Sequence, residues 1–293
     1  MFIAELLFYG LSLGAVYSLI AVGFALIFNI LKFSNFAHGG FITVTAYVGY
    51  IAASIWQLPF WAALLVAIFF GGIIGVISEF IAFRRIRNTK GPIIYYFVSS
   101  ITLGILLESL IRIFFGTTYY RYPYDFGGYL MNVFGNMMWI SYLDVYMLLV
   151  SLITLAILLF ILYKTKIGLA IRSLASDVDT AKLMGVDVTR IIQIVFFVAG
   201  VLAAVSGVFL AISYNLYPAL GQIVVKGFIA SVIGGLGSLG GAVIGALLLG
   251  FVEIFLLQTI GSGFSPIVIF IIMLVFLLFR PRGIAGVYVD TKA

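Results

Sequence analysis

One histidine, His38 in the stretch FSNFAHGGF, and no cysteine leave this chain few groups able to do chemistry. There is no Cys/His cluster, no His-x-x-x-His pair and no pair of carboxylates, so metal-assisted hydrolysis and general acid–base catalysis have little to draw on. A Gly-x-x-x-x-Gly-Lys-Ser/Thr loop is also absent, so ATP is not expected to be cradled on this chain. His38 stands beside Asn35 and Gly39, the residue types that an irregular helix start requires. Its ring either bonds backbone carbonyls of a broken helix or lines a pathway.

Charged residues inside apolar stretches form the second group with chemical potential, because charge in hydrocarbon is costly and usually paired. Glu108 and Arg112 are four apart on one helix and should form an internal ion pair. Lys226 and Glu253 fall at similar depth, so Lys226 either pairs with Glu253 between helices or snorkels outward. Glu79 lies near a helix end within reach of Arg84. These acids are scattered rather than strung along one path, which places an ion-coupled secondary transporter second to other transport mechanisms.

The elements that must hold these residues follow from composition. Of 293 residues, 64% are hydrophobic and only 9% charged, against about 25% charged in ordinary soluble domains; the mean hydropathy is +1.27. Apolar runs of about 20 residues cross a bilayer core of about 30 Å as helices. The pattern predicts an all-α, polytopic membrane protein of eight or nine transmembrane helices, over roughly 3–30, 36–56, 60–83, 93–115, 142–163, 191–213, 223–236, 240–259 and 264–279. No cleavable leader is expected at the N-terminus, the first span serving as the signal. The net charge of +6 marks membrane topology rather than nucleic-acid binding. Thirteen of the sixteen basic residues fall on one side: Lys32, Arg84, Arg85, Arg87, Lys90, Lys164, Lys166, Arg172, Lys182, Arg190, Arg280, Arg282 and Lys292. That side is expected to be cytoplasmic, with the N-terminus outside and the C-terminus inside. The long outer loop, Gly116–Ser141, is rich in Tyr and is expected to act as an interfacial anchor or a docking surface.

The two ends of the chain are similar in outline. NFAHGG precedes one span and NLYPALGQ another, each followed by a helix carrying paired glycines and a glutamate. This suggests a single membrane domain built as an inverted repeat, with residues 1–115 against 191–279, a linking span at 142–163 and a polar loop at 164–190. Small residues spaced along GGIIG and GGAVIGALLLG allow close helix packing. Gly234–Gly241 holds five glycines in eight residues, too many for a regular helix. It is expected to turn and re-enter near a pathway, with Gly234 and Gly235 as candidate lining residues beside Asn35, His38 and Gly39.

Within the polar loop, Ser176 and Asp179 fit a Ser-x-x-Asp capping box, and Gly185 sits where a helix would end. A helix over 177–184 would be about 12 Å long. Val178, Ala181 and Met184 would share a small apolar face suited to a groove on another protein.

The segment DTAKLMG resembles the Glu-Ala-Ala-x-x-x-Gly pattern of ABC-importer permeases, with Asp179, Ala181 and Gly185 at the first, third and seventh positions and Thr180 departing at the second. GLSLGAVYSLIAVGFALIFNILKFSNFAHGGF, GLAIRSLASDVDTAKLMGVDVTR and GFIASVIGGLGSLGGAVIGALLLGFVE resemble, in order, branched-chain amino-acid permeases of the LivH type. The resemblance implies a bacterial or archaeal inner-membrane permease for leucine, isoleucine and valine, whose relatives also carry urea, short amides or other amino acids. It implies a LivM-like second permease, two ABC ATPase subunits that use ATP and magnesium, and a periplasmic substrate-binding protein. No cofactor is expected on this chain itself.

Overall fold

A computed structural model describes residues 2–89, 91–133, 136–280 and 283–285. Lys90, Arg282 and Lys292, three of the residues used above to orient the chain, lie outside them. All nine expected spans are helical, as α1 Phe2–Leu31, α2 Ala37–Ser54, α3 Phe60–Ser78 continued by α4 Arg84–Asn88, α5 Ile93–Phe115, α6 Tyr142–Lys164, α9 Val188–Tyr214, α10 Val224–Gly234, α11 Leu239–Thr259 and α12 Ser265–Phe279. Two short helices, α7 Lys166–Ser176 and α8 Val178–Leu183, occupy the polar loop. Among the described residues, six helices are long and apolar enough to cross a bilayer unaided: α1, α3 with α4, α5, α6, α9 and α11. The other expected spans fall short: Pro218–Gly234 and Ser265–Phe279 in length, and the 18-residue α2 through the His, Gly, Thr and Tyr residues it carries.

Contacts divide the chain into two compact units, 26–124 with 153–224 and 1–25 with 125–152 and 225–293. In the first, α3 lies directly on α9. A Cβ on Gly71 would sit 2.5 Å from the Gly200 carbonyl oxygen, and one on Gly75 would sit 2.0 Å from that of Phe196. Backbones this close let helices associate in lipid, where apolar burial gives them no drive. In the second unit α1 meets α11 in the same way, a Cβ on Gly250 falling 2.5 Å from the Gly14 Cα. Ser231 Oγ of α10 donates to the Ala21 carbonyl of α1 at 2.8 Å.

The loop at 116–141 departs from the all-helical expectation. Gly128–Val133 and Asn136–Ser141 form an antiparallel hairpin, β1 and β2, with Gly128 opposite Ser141 and Val133 opposite Asn136. Its tyrosines also divide by role. Tyr119 is exposed. Tyr122, by contrast, is buried and donates to the Ala46 carbonyl at 2.6 Å, so it is neither a membrane anchor nor a docking residue but a pin holding the loop on α2.

Candidate functional site

The chain breaks between α1 and α2 for identifiable reasons. Lys32 adopts φ +56, a left-handed conformation that ends α1, and Phe33 packs on Phe83 and Tyr96 with ring centroids 5.4 and 5.2 Å away. Asn35 Oδ1 then accepts from the Ala37 amide at 3.2 Å, a local turn that substitutes for a helix cap. Ser100 Oγ, on α5, accepts from the Phe36 amide at 3.3 Å. Asn35 and His38 are both wholly buried, and Asn35 Nδ2 and both His38 ring nitrogens have no hydrogen-bond partner among the described residues. The imidazole therefore does not cap the broken helix; it stands edge-on to Phe41, with ring centroids 6.1 Å apart.

The second irregular stretch crosses the first. Asn215 ends α9 at φ +65, Leu216 pairs with Tyr120 through reciprocal 2.8 Å backbone bonds, and Pro218–Ile223 winds as a 3₁₀ turn. A Cβ on Gly39 would lie 2.5 Å from the Gly221 carbonyl oxygen, and one on Gly221 would lie 2.0 Å from that of Gly39. Thr43 Oγ1 fastens the crossing by accepting from the Gly221 amide at 2.9 Å. Only glycine at both positions permits this approach. Asn35, His38 and Gly39 are thus brought together with Gly221 and Thr43, neither of which was a sequence candidate; NLYPALGQ carried the only signal, as the counterpart of NFAHGG.

Gly234 and Gly235 belong to the other unit. There the glycine-rich segment turns tightly, with Gly235 at φ +107 and Gly237 at φ +104, and Ser238 Oγ caps α11 by accepting from the Gly241 amide at 3.1 Å. The backbones of Gly234 and Gly241 touch. The carbonyls that α10 leaves open at its end accept from Ile284 (to Ile233) and Ala285 (to Gly234), each at 2.9 Å. Unpaired backbone, the hazard of such a segment in lipid, is thereby relieved.

The five ionisable residues singled out within the apolar stretches are paired. Lys226 Nζ meets Glu253 Oε1 at 2.5 Å and the Tyr17 hydroxyl at 3.1 Å, so it does not simply snorkel. Glu108 and Arg112 pair at 2.5 Å. Glu79, wholly buried, faces both Arg84 at 3.3 Å and Arg87 at 2.7 Å.

In the polar loop, the expected helix is present but its cap lies elsewhere. Ser176 is the last residue of α7, and the N-cap of α8 is Asp177, whose Oδ1 accepts from the Thr180 amide at 2.5 Å. The Ser176–Asp179 box does not form, because an aspartate one residue later competes for the same turn and wins. Backbone donation from Thr180 holds the Asp177 carboxyl below the usual aspartate range. Gly185 ends the helix at φ +85, with its own amide bonded to Lys182 O and that of Val186 to Ala181 O, a Schellman close. Ala181 is buried rather than part of an apolar docking face. The exposed apolar residues are Val178, Leu183 and Met184, the last two 87% and 81% exposed; Thr180 and Asp179 are exposed as well.

A nearly all-helical chain with broken membrane helices and a capped polar helix between spans has the build of a polytopic permease. Residues 6–277 match the family of the branched-chain amino acid transport system permease component, and the chain belongs to that family: it is a transport permease component and not an enzyme. It is 31% identical to the high-affinity branched-chain amino acid transport system permease protein BraD of Pseudomonas aeruginosa, over 94% of each chain. It is also 31% identical to LivH of Escherichia coli, over 98% of this chain and 96% of that one. A probable LivH of Methanocaldococcus jannaschii is 28% identical over 92% of this chain and 88% of its own.

Proposed function

We propose that this chain carries leucine, isoleucine and valine across the membrane as one permease subunit of an ABC importer. In this reading it pairs with a LivM-like permease, receives substrate from a periplasmic binding protein and is driven by two ABC ATPases that consume ATP and magnesium. The observation that carries the proposal is α8. A six-residue helix closed at both ends, with Leu183 and Met184 standing almost fully in the open, is built to be held by another protein, as a self-sufficient transporter would not need. Asp179 and Gly185 keep the spacing of the coupling motif, with Ala181 anchoring the helix from beneath. Ser176 lies at the preceding hinge.

ATPase closure would press on α8 and drive alternating access between the repeats at 1–115 and 191–279. Basic residues of the polar loop would face the cytoplasm and the N-terminus would lie outside. A zwitterion leaving water needs hydrogen-bonding groups with unused capacity. Asn35 Nδ2 is a donor left without a partner among the described residues, and a neutral imidazole offers one donor and one acceptor, so Asn35 and His38, held by the Gly39 crossing, are assigned to the pathway. Purification in mild detergent tests the assembly: an ATPase and a second permease should accompany the wild-type chain and be lost from the Leu183→Asp/Met184→Asp variant. Retention of both by that variant would remove α8 from the interface.

A further inference from the structure

Between α3 and α4 the helix widens. Residues 79–83 form a π turn, closed by the Arg84 amide bonding to the Glu79 carbonyl. In a regular α-helix, residues five and eight places on from Glu79 would point about 140° and 80° away from it. One inserted residue brings Arg84 and Arg87 to positions equivalent to four and seven places on, about 40° and 20° from Glu79. Both guanidinium groups consequently reach the same buried carboxylate. Ser99 of α5 braces the wide turn by donating to the Ala82 carbonyl at 3.0 Å.

The cluster is not neutral, since one carboxylate faces two guanidinium groups. Its donors are also not used up. Arg84 Nε and Arg87 Nη2 are buried without a hydrogen-bond partner among the described residues, and Arg87 Nη1, although 2.7 Å from Glu79 Oε1, lies off the line of a hydrogen bond. Those buried donors are closed to a ligand, so contact falls to the exposed part of each guanidinium side chain, 26% of Arg84 and 15% of Arg87, while the cluster keeps one positive charge in excess. The surface beside it is apolar. Ile77, Phe80 and Ile81 are 48%, 59% and 68% exposed on this membrane helix, and Arg84 is stacked 4.8 Å from the Phe80 ring centroid. A monoanion carrying oxygen acceptors on an apolar stem satisfies all three features, and guanidinium groups recognise phosphate oxygens in this manner.

We propose that Arg84 and Arg87, set by the π turn around Glu79, bind the phosphodiester headgroup of an anionic phospholipid whose acyl chains lie along Phe80 and Ile81. A basic pocket at the end of a membrane helix has the chemistry for it. The full-length chain, exchanged into equal phosphatidylglycerol and phosphatidylcholine of matched acyl chains, should retain phosphatidylglycerol preferentially in native mass spectrometry. Arg84→Gln and Arg87→Gln should each weaken that preference about five-fold, the effect of one basic residue at an anionic surface. Glu79→Gln, which frees both guanidinium groups, should strengthen it. The triple variant Glu79→Gln/Arg84→Gln/Arg87→Gln leaves no buried unpaired charge, so it should fold with the wild-type melting temperature yet show no preference. Equal retention of the two lipids by the wild type would overturn the proposal, and this arm decides even if a variant fails to fold. A preference that persists in the folded triple variant, or displacement of the lipid by millimolar inorganic phosphate, would also overturn it, the latter assigning the site to a soluble anion.

Discussion

Replacing Lys226 with Met should be among the most damaging single changes in the membrane core. Lys226 Nζ lies 2.5 Å from Glu253 Oε1 and 3.1 Å from the Tyr17 hydroxyl, and the Glu253 side chain is only 4% exposed. Removing the lysine strands that carboxylate, whose Oε2 already lacks a partner among the described residues, and breaking a buried pair from one side costs about 3–5 kcal/mol. The reverse change, Glu253→Gln, should cost less, because the Lys226 side chain keeps Tyr17 and 23% of its surface exposed; about 1–3 kcal/mol is expected. Lys226→Met/Glu253→Leu removes both charges and should recover most of the loss. Thermal unfolding of the four proteins in one mild detergent gives the order wild type, double variant, Glu253→Gln, Lys226→Met, with the last lower in Tm by roughly 10 °C. A Lys226→Met protein as stable as the wild type, or a double variant no better than it, would refute the reasoning.

Gly221→Ala places a Cβ 2.0 Å from the Gly39 carbonyl oxygen and 2.6 Å from Thr43 Oγ1, a backbone clash worth about 1–3 kcal/mol, and should depress uptake at unchanged membrane abundance; normal uptake would separate the crossing from transport. A Cβ added at Gly185 meets no atom within 4 Å, so the cost of Gly185→Val falls chiefly on the φ of +85, at least ~1–2 kcal/mol for a residue with a Cβ; ATP hydrolysis by the assembled complex should then proceed without stimulated uptake. His38→Ala should lower leucine uptake while leaving subunit co-purification intact. The α8 cap should weaken in acid: Asp177 titrates below its unfolded value of about 3.9, so its contribution is complete above that value and is lost as pH falls through the depressed one. Hydrogen-exchange protection over 178–184, corrected for intrinsic rates, should be flat from pH 7 to about 5 and fall below about 3.9; protection that rises on acidification would contradict the sign.

The apolar runs made the helices legible because a bilayer imposes one length and one hydrogen-bonding solution on them. Pairs such as Glu108–Arg112 were legible too, since both partners sit on one helix face. Reading failed where two local solutions overlapped. Ser176-x-x-Asp179 and Asp177-x-x-Thr180 are both acceptable caps, and only the turn that ends α7 at Ser176 decides between them. Ala181 looked like docking surface because periodicity assigns a face without saying which face is already occupied. The Glu79–Arg87 contact depends on a π turn that alters the helical count, and the Gly39–Gly221 crossing joins segments remote in sequence; no local pattern encodes either. The β1–β2 hairpin carries strand formers in Tyr129, Val133, Trp139 and Ile140, but Gly, Asn and Met interrupt them, in a loop read for its tyrosines.

Uptake of labelled leucine into proteoliposomes separates an ATP-driven permease from a self-sufficient carrier, comparing this chain alone with the chain assembled with the proposed second permease, ATPases and binding protein. No uptake is expected from the chain alone under any imposed ion gradient, and the assembly should show ATP-dependent uptake that disappears in Gly185→Val. Gradient-driven leucine uptake by the chain alone would contradict the ATP-driven reading.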